Sequence, residues 1–245
     1  MSDDRQSRVA AIYDRHRPEL VAYLDRMVVQ TGVAEEIAQE AALRLVQHPH
    51  VAEDESSVRA WLFRVSTNLA LDHLRRHSTK RELPLLDIRE RAEADADFVS
   101  ASDRLRGSPE TKAIAREHLV ACFACTLRNL PGQQAAALLL KEVHGFSTEE
   151  VAAVLDARFG QVKHWIQAAR EVLTRRYATT CALVAKDGVC YQCVELDDFF
   201  NGRKSNPLGG AAHLDARLAI LRELKDKPLG TWHAKLFDVV RDIIE

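Results

Sequence analysis

Apolar residues recur every three or four positions from Val9 to Leu45: Val9, Ile12 and Tyr13, then Leu20, Tyr23, Leu24, Met27 and Val28, then Ile37, Ala41 and Leu45. An α-helix that buries one face needs that period. Pro18 interrupts the first stretch, and Gly32 is expected to separate the later helices. The polar loop HPHVAEDESS (48–57) follows, and Ser56 or Ser57 is placed to cap the helix VRAWLFRVSTNLALDHLRRH. Trp61, Leu62, Val65, Leu69 and Leu74 form the apolar stripe expected of that helix. Periodicity fades over 81–111, where Pro84, Gly107 and Pro109 stand among many acids, as in a linker. It returns between 112 and 177. Beyond that, ALVAKDGVCYQC alternates apolar residues about a Lys-Asp-Gly turn, the pattern of a β-hairpin. A break at NGRKSNPLGG (201–210) leads into two amphipathic stretches, about 211–226 and 231–244. The first carries Leu214, Leu218, Leu221 and Leu224, the second Trp232, Leu236, Val239, Val240 and Ile243.

The predicted architecture is therefore mainly α. A helical domain (1–80) and a second helical domain (112–177) are joined by an acidic linker (81–111). A C-terminal extension (178–245) is expected to hold a small cysteine-bearing β-hairpin and two helices packed on each other and on the second domain.

Within 112–177 the order of signals is specific. Pro131 opens a helix that Gly145 ends. Ser147 stands three residues before Glu150, a capping box that opens a short helix over Thr148–Leu155. A tight turn at Asp156–Arg158 precedes a longer basic helix from about Phe159 to Arg176. Helix, short turn and longer basic helix make a helix-turn-helix, whose second helix enters the major groove. On that geometry Arg158, Gln161, Lys163, His164, Gln167 and Arg170 line the DNA side, while Val162, Ile166 and Ala169 face inward. In 59–76, Arg64, Asn68, Asp72, Arg75 and Arg76 share a face, and such a mixture can bond base edges and neutralise phosphates.

Charge sharpens the picture. The 245-residue chain has a formal charge of only −2. Its basic residues are nevertheless grouped: Arg59, Arg64, Arg75, Arg76, Lys80 and Arg81, and again Arg158, Lys163, Arg170, Arg175 and Arg176. Local basic faces in a near-neutral chain fit a DNA binder delivered by a larger partner. The N-terminal MSDDRQSRVAAIYDRH lacks the apolar core of a signal peptide, and no stretch reads as a membrane span. A cytoplasmic protein is expected. No P-loop, HExxH or nucleophile arrangement suggests an enzyme.

Taken together, AEEIAQEAALRLV (34–46), RAWLFRVSTNLALDHLRR (59–76) and LPGQQAAALLLKEVHGFSTEEVAAVLDARFGQVKHWIQAAREVL (130–173) resemble the sigma-70 family of RNA polymerase specificity subunits. The compact form resembles its extracytoplasmic-function type, over about residues 8–177. The resemblance implies docking on core RNA polymerase, at the beta-prime clamp helices and the beta flap, followed by promoter capture and melting. It implies that Glu35, Glu36, Gln39 and Glu40 face the polymerase. Asn68, Asp72, Arg75 and Arg76, with Trp61 and Arg64, would meet the −10 element, and the loop Glu53–Ser57, including Ser56 and Ser57, would hold a flipped base. The helix-turn-helix would read the −35 element. The chain departs from the pattern at Glu36, at Ala42, at Ala135 or Ala136, and in the ARFGQVKHW opening of the recognition helix. An anti-sigma partner is a further possibility that the family brings. Two other classes stay open: a sigma-like module that binds an anti-sigma factor, and a metal- or redox-sensing helix-turn-helix regulator.

The chain contains five cysteines. Cys181, Cys190 and Cys193 crowd into the predicted hairpin, where they could bind zinc or an iron–sulfur cluster, act as a redox switch, or be structural only. A fourth metal ligand could come from Cys122, Cys125, His213, His233 or an acid such as Asp197. Cys122 also fits the apolar stripe of Leu119, Phe123, Leu127 and Leu130.

Overall fold

The computed structural model describes residues 2–48, 51, 54–77, 94, 96, 111–180 and 212–227, and no strand occurs among the described residues. The predicted hairpin and the helix about 231–244 lie outside them, as does the linker 81–110 apart from 94 and 96. Among the described residues the α-helices are α1 (Ser2–Val28), α2 (Thr31–Gln47), α3 (Glu55–His77), α4 (Thr111–Leu127), α5 (Gly132–Leu138), α6 (Thr148–Leu155), α7 (Phe159–Thr180) and α8 (Ala212–Glu223). They sort into two compact units. One comprises Met1–Ser78, Leu130–Ala169 and Leu224–Pro228; the other comprises Thr79–Asn129, Arg170–Glu223 and Leu229–Glu245.

In the first unit α1, α2 and α3 pack as a three-helix core around Leu20, Tyr23, Leu24, Leu45, Leu62 and Phe63, all fully buried. α1 runs through Pro18 without a break, because the burial of Leu20, Tyr23 and Leu24 beyond it outweighs the lost backbone bond. The break before α2 falls at Val29, which adopts a left-handed φ of 58°, rather than at Gly32, which lies in the first turn of α2. The cap of α3 is Asp54, not a serine: its Oδ1 accepts from the Ser57 amide at 2.9 Å and the Ser56 hydroxyl at 2.6 Å. These donors lower the Asp54 pKa to about 2. The buried face of α3 is also rotated from the expected stripe. Val58, Leu62, Phe63, Ser66, Thr67 and Ala70 are buried, while Trp61 and Val65 are half-exposed. Thr67 is satisfied in the core by Phe63 O and the Tyr23 hydroxyl, at 2.6 and 2.9 Å.

The same unit includes the helix-turn-helix. α5 approaches α3 at Gly132, where a Cβ would lie 2.6 Å from Leu71 Cδ2. α5 then widens into a π-helical turn, Leu139–Val143. The His144 amide bonds Leu139 O at 3.0 Å, and Gly145 ends the segment at φ 74°. α6 opens with the capping box: Ser147 Oγ accepts from the Glu150 amide at 3.1 Å, and Glu150 accepts from the Ser147 amide at 2.6 Å. It ends at Asp156, left-handed at φ 49°.

A polar node joins these parts. Glu19 of α1 accepts from Arg59 of α3 at 2.9 Å and is bonded to His144 Nδ1 at 3.1 Å. Arg59 also donates to His144 O at 2.8 Å, and its guanidinium lies over Phe146, 4.1 Å from the ring centroid. His144 meets Tyr23 edge-on, with ring centroids 5.3 Å apart, and Phe63 packs against Phe146 at 5.0 Å.

The second unit buries Leu119, Phe123 and Leu127 of α4 with Leu173 and Tyr177 of α7 and Leu214, Leu218 and Leu221 of α8. α8 packs on α4. Its Arg217 is fully buried, with the guanidinium 4.1 Å from the Tyr177 ring centroid.

The node titrates in one direction. Burial alone would raise the Glu19 pKa, but hydrogen bonds from His144 and Arg59 outweigh it and hold Glu19 well below its ordinary 4.5. Burial pushes His144 down from 6.5 to about 4, against the opposing Glu19 hydrogen bond. As pH falls below 6.5, the unfolded chain takes up a proton at His144 that the folded one refuses. Below 4.5 the same becomes true at Glu19, so both groups remove stability on acidification. The melting temperature should fall between about pH 7 and 4.5, and His144→Gln should flatten the part of that slope above pH 5.

Candidate nucleic-acid interface

α3 presents two opposite faces. Arg64, Asn68 and Arg75 are exposed, as is Arg76 on the flank, and Asp72 is partly exposed beside them. Asp72 and Arg75 are paired. This keeps one acceptor and one donor side by side on the surface, which is chemistry suited to a base edge and a phosphate. Trp61 lies on the same side of the helix, and its ring is 5.6 Å from His48. At the start of the helix Ser56 is exposed and Ser57 half-exposed, both fixed by Asp54. Next to them Glu55 bonds Arg15 at 3.2 Å and His16 at 3.1 Å.

α7 is arranged in the same way. Val162, Ala169 and Leu173 are buried, and Ile166 is half-buried. Arg158, Gln161, Lys163, His164 and Gln167 are all exposed. The left-handed Asp156 makes the turn short enough to lead straight from α6 into α7. Arg170 differs from this set: it is partly exposed and is held by Asp215, so part of its charge is already neutralised. Phe159, absent from the expected contacts, is 43% exposed at the first position of the helix, and the Lys163 ammonium lies 4.9 Å from its ring centroid.

On α2, Glu36 and Gln39 are exposed, Glu40 pairs with Arg44 at 2.7 Å, and Glu35 pairs with Arg17. Leu43 and Val46 are 59% and 42% exposed and continue the stripe begun by Glu36 and Gln39. From sequence both fall outside the period of Ile37, Ala41 and Leu45. Their tell-tale is an apolar arc too wide for one buried face.

Cys181, Cys190, Cys193 and His233 lie outside the described residues, and no side-chain position is described for His213. Cys122 and Cys125 are half-buried on α4. Arg217 Nη1 donates to Cys122 Sγ at 3.5 Å, which sets a fixed positive charge beside that thiol. Among the described residues no three potential ligands converge on one point. None of the described helices is long and apolar enough to cross a membrane.

Comparison with known proteins agrees with this arrangement. Residues 12–80 match the Sigma-70 region 2 family and residues 121–173 match the Sigma-70, region 4 family. The chain is 28% identical to the RNA polymerase sigma-H factor of Pseudomonas aeruginosa, over 66% of its own length and 81% of that protein. It is also 28% identical to the ECF RNA polymerase sigma-E factor of Escherichia coli, covering 64% of this chain and 80% of that protein. With the probable ECF RNA polymerase sigma factor SigI of Mycobacterium tuberculosis it shares 30% identity over 66% of its length, but spans only 53% of that relative. The chain belongs to the sigma-70 family of RNA polymerase factors, in its extracytoplasmic-function branch.

Proposed function

We propose that this chain is a sigma factor that docks on core RNA polymerase through α2 and directs initiation by reading the −10 element with α3 and the −35 element with α7. The observation that carries this is the exposure of Arg64, Asn68 and Arg75 opposite the buried face of α3. Exposed arginines on a rigid helix neutralise phosphates, and the neighbouring amide and carboxylate reach base edges. On α2 the polymerase-facing set is Glu35, Glu36, Gln39 and Glu40, extended by Leu43 and Val46. An apolar pair rimmed by charge suits a protein partner such as the beta-prime clamp helices. The beta flap is the partner assigned to the helix-turn-helix domain. Transcription with core polymerase should depend on added protein, and Arg75→Ala with Arg76→Ala should cut it at least tenfold. Undiminished output from that double variant would favour a sigma-like interaction module that never touches promoters.

The compact first unit has a further consequence. Elements about 25 base pairs apart are separated by roughly 85 Å along the duplex, whereas α3 itself is only about 34 Å long. α6, the first helix of the helix-turn-helix, packs directly on α3. Reading both elements at once therefore requires the node of Glu19, Arg59 and His144 to open, and the packed unit is a resting state. The extension bears on that node through Lys225, whose Nζ lies 3.3 Å from Glu19. Arg26, buried in α1, also donates to Leu224 O at 2.7 Å and Lys225 O at 3.3 Å. His144→Asp sets like charges against each other at Glu19. It should enlarge the radius of gyration of the free protein by X-ray scattering and raise transcription at limiting core polymerase, with helicity retained. No change in either quantity would refute the resting state.

The cysteine extension is assigned a regulatory role, with zinc or an iron–sulfur cluster at Cys181, Cys190 and Cys193. Its tests are the metal content and visible spectrum of anaerobically purified protein beside Cys190→Ser. Zinc or iron lost in the variant is the expected result. Metal-free protein with reversibly oxidising thiols would replace it with a redox switch.

A further inference from the structure

Among the described residues, three large apolar side chains stand clear of the core: Leu43, Val46 and Phe159. The first two belong to the polymerase-facing stripe of α2. Phe159 is different in place and company. It opens α7, 43% exposed, in a unit that otherwise buries Phe63 and Phe146 completely or nearly so. Phe159, Lys163 and Gln167 follow one another at four-residue intervals, so they form a single stripe along the helix. Lys163 and Gln167 of that stripe are exposed together with Gln161 and His164, and the Lys163 ammonium rests over the ring. The residue after it, Gly160, has nothing within 4 Å of a built Cβ, so the N-terminal end of the helix is open on this side.

We infer that Phe159 is a specificity-determining residue, and that its ring contacts the C5-methyl group of a thymine in the −35 element while Lys163 beside it neutralises the adjoining phosphate. In the major groove the thymine methyl is the one apolar feature of a base edge, and phenylalanine is among the side chains that recognise it. The first residues of a recognition helix are those that go deepest into the groove. An aromatic ring there cannot bond the donors and acceptors of guanine, cytosine or adenine, and it would strip water from them without return. The inference rests on α7 being the −35 reader.

The experiment uses the full-length protein with core polymerase and a promoter library randomised across the −35 element. Selected promoters should be enriched in thymine at one position or at two adjacent ones. Replacing that thymine with deoxyuridine removes only the methyl group, and binding should weaken about fourfold, the effect of exposing one methyl-sized apolar group. Phe159→Ala should bind the two DNAs equally, Phe159→Leu should recover part of the difference, and Lys163→Ala should weaken both DNAs alike. A wild-type protein indifferent to the methyl, or a difference that survives Phe159→Ala, would overturn the inference while leaving α7 as the reader. Selection that yields no preferred −35 sequence would remove that reader role, and the inference with it.

Discussion

A carboxylate taken out of water has to be matched by charge and hydrogen bonds, and Glu19 is matched by three separate parts of the chain. Arg59 comes from α3, His144 from the end of the π-helical turn, and Lys225 from the segment after α8. Removing one partner from a buried pair leaves an uncompensated charge, at a cost of about 3–5 kcal/mol. The carboxylate therefore selects its neighbours and imposes a single arrangement on residues as far along the chain as His144 and Lys225. The arrangement is not free of frustration. Nε2 of His144 is buried without a hydrogen-bond partner among the described residues, a cost that opening the unit to water would relieve.

How His144 comes to point at Glu19 is a matter of helix geometry. Each residue of an α-helix turns the next side chain by about 100°. The π-helical turn at Leu139–Val143 bonds the His144 amide to the carbonyl five residues back rather than four. One residue is absorbed without lengthening the ladder, and every side chain after it is turned relative to an unbroken α-helix. Gly145 then reverses the chain at positive φ, so that Phe146 packs against Phe63 and Ser147 caps α6. An alanine at that φ would be strained.

What could be read from sequence and what could not divide along the same line. The short helix Thr148–Leu155, its Ser147–Glu150 box and the exposed face of α7 depend on spacings of three and four residues, and they stand where the pattern puts them. Spacing alone does not decide local competition between caps. Asp54 and the two serines are all good N-caps, and the one chosen is decided by where α3 starts. The rotation of α3 that buries Phe63 and leaves Trp61 at the surface follows from what packs against it. Tyr23, His144 and Phe146 supply a pocket for a ring on one side only. Glu19 itself reads as one more surface acid on an amphipathic helix, because nothing local reveals partners 40 and 125 residues away.

The charge of the chain bears on how strong the closed state must be. With 34 basic and 36 acidic residues, net charge gives the protein no attraction for DNA, and an exposed arginine or lysine can add only its own phosphate contact. Useful affinity then comes from being held on polymerase, where the second DNA element is met at high effective concentration. A modest bias toward the packed unit is enough to govern such a system. A closed form favoured by about 2.7 kcal/mol leaves roughly one molecule in a hundred open and weakens apparent binding by the same factor. If the packed unit is the resting state proposed, control of this factor needs no large rearrangement in the extension, only a change in whether Leu224 and Lys225 stay against Arg26 and Glu19.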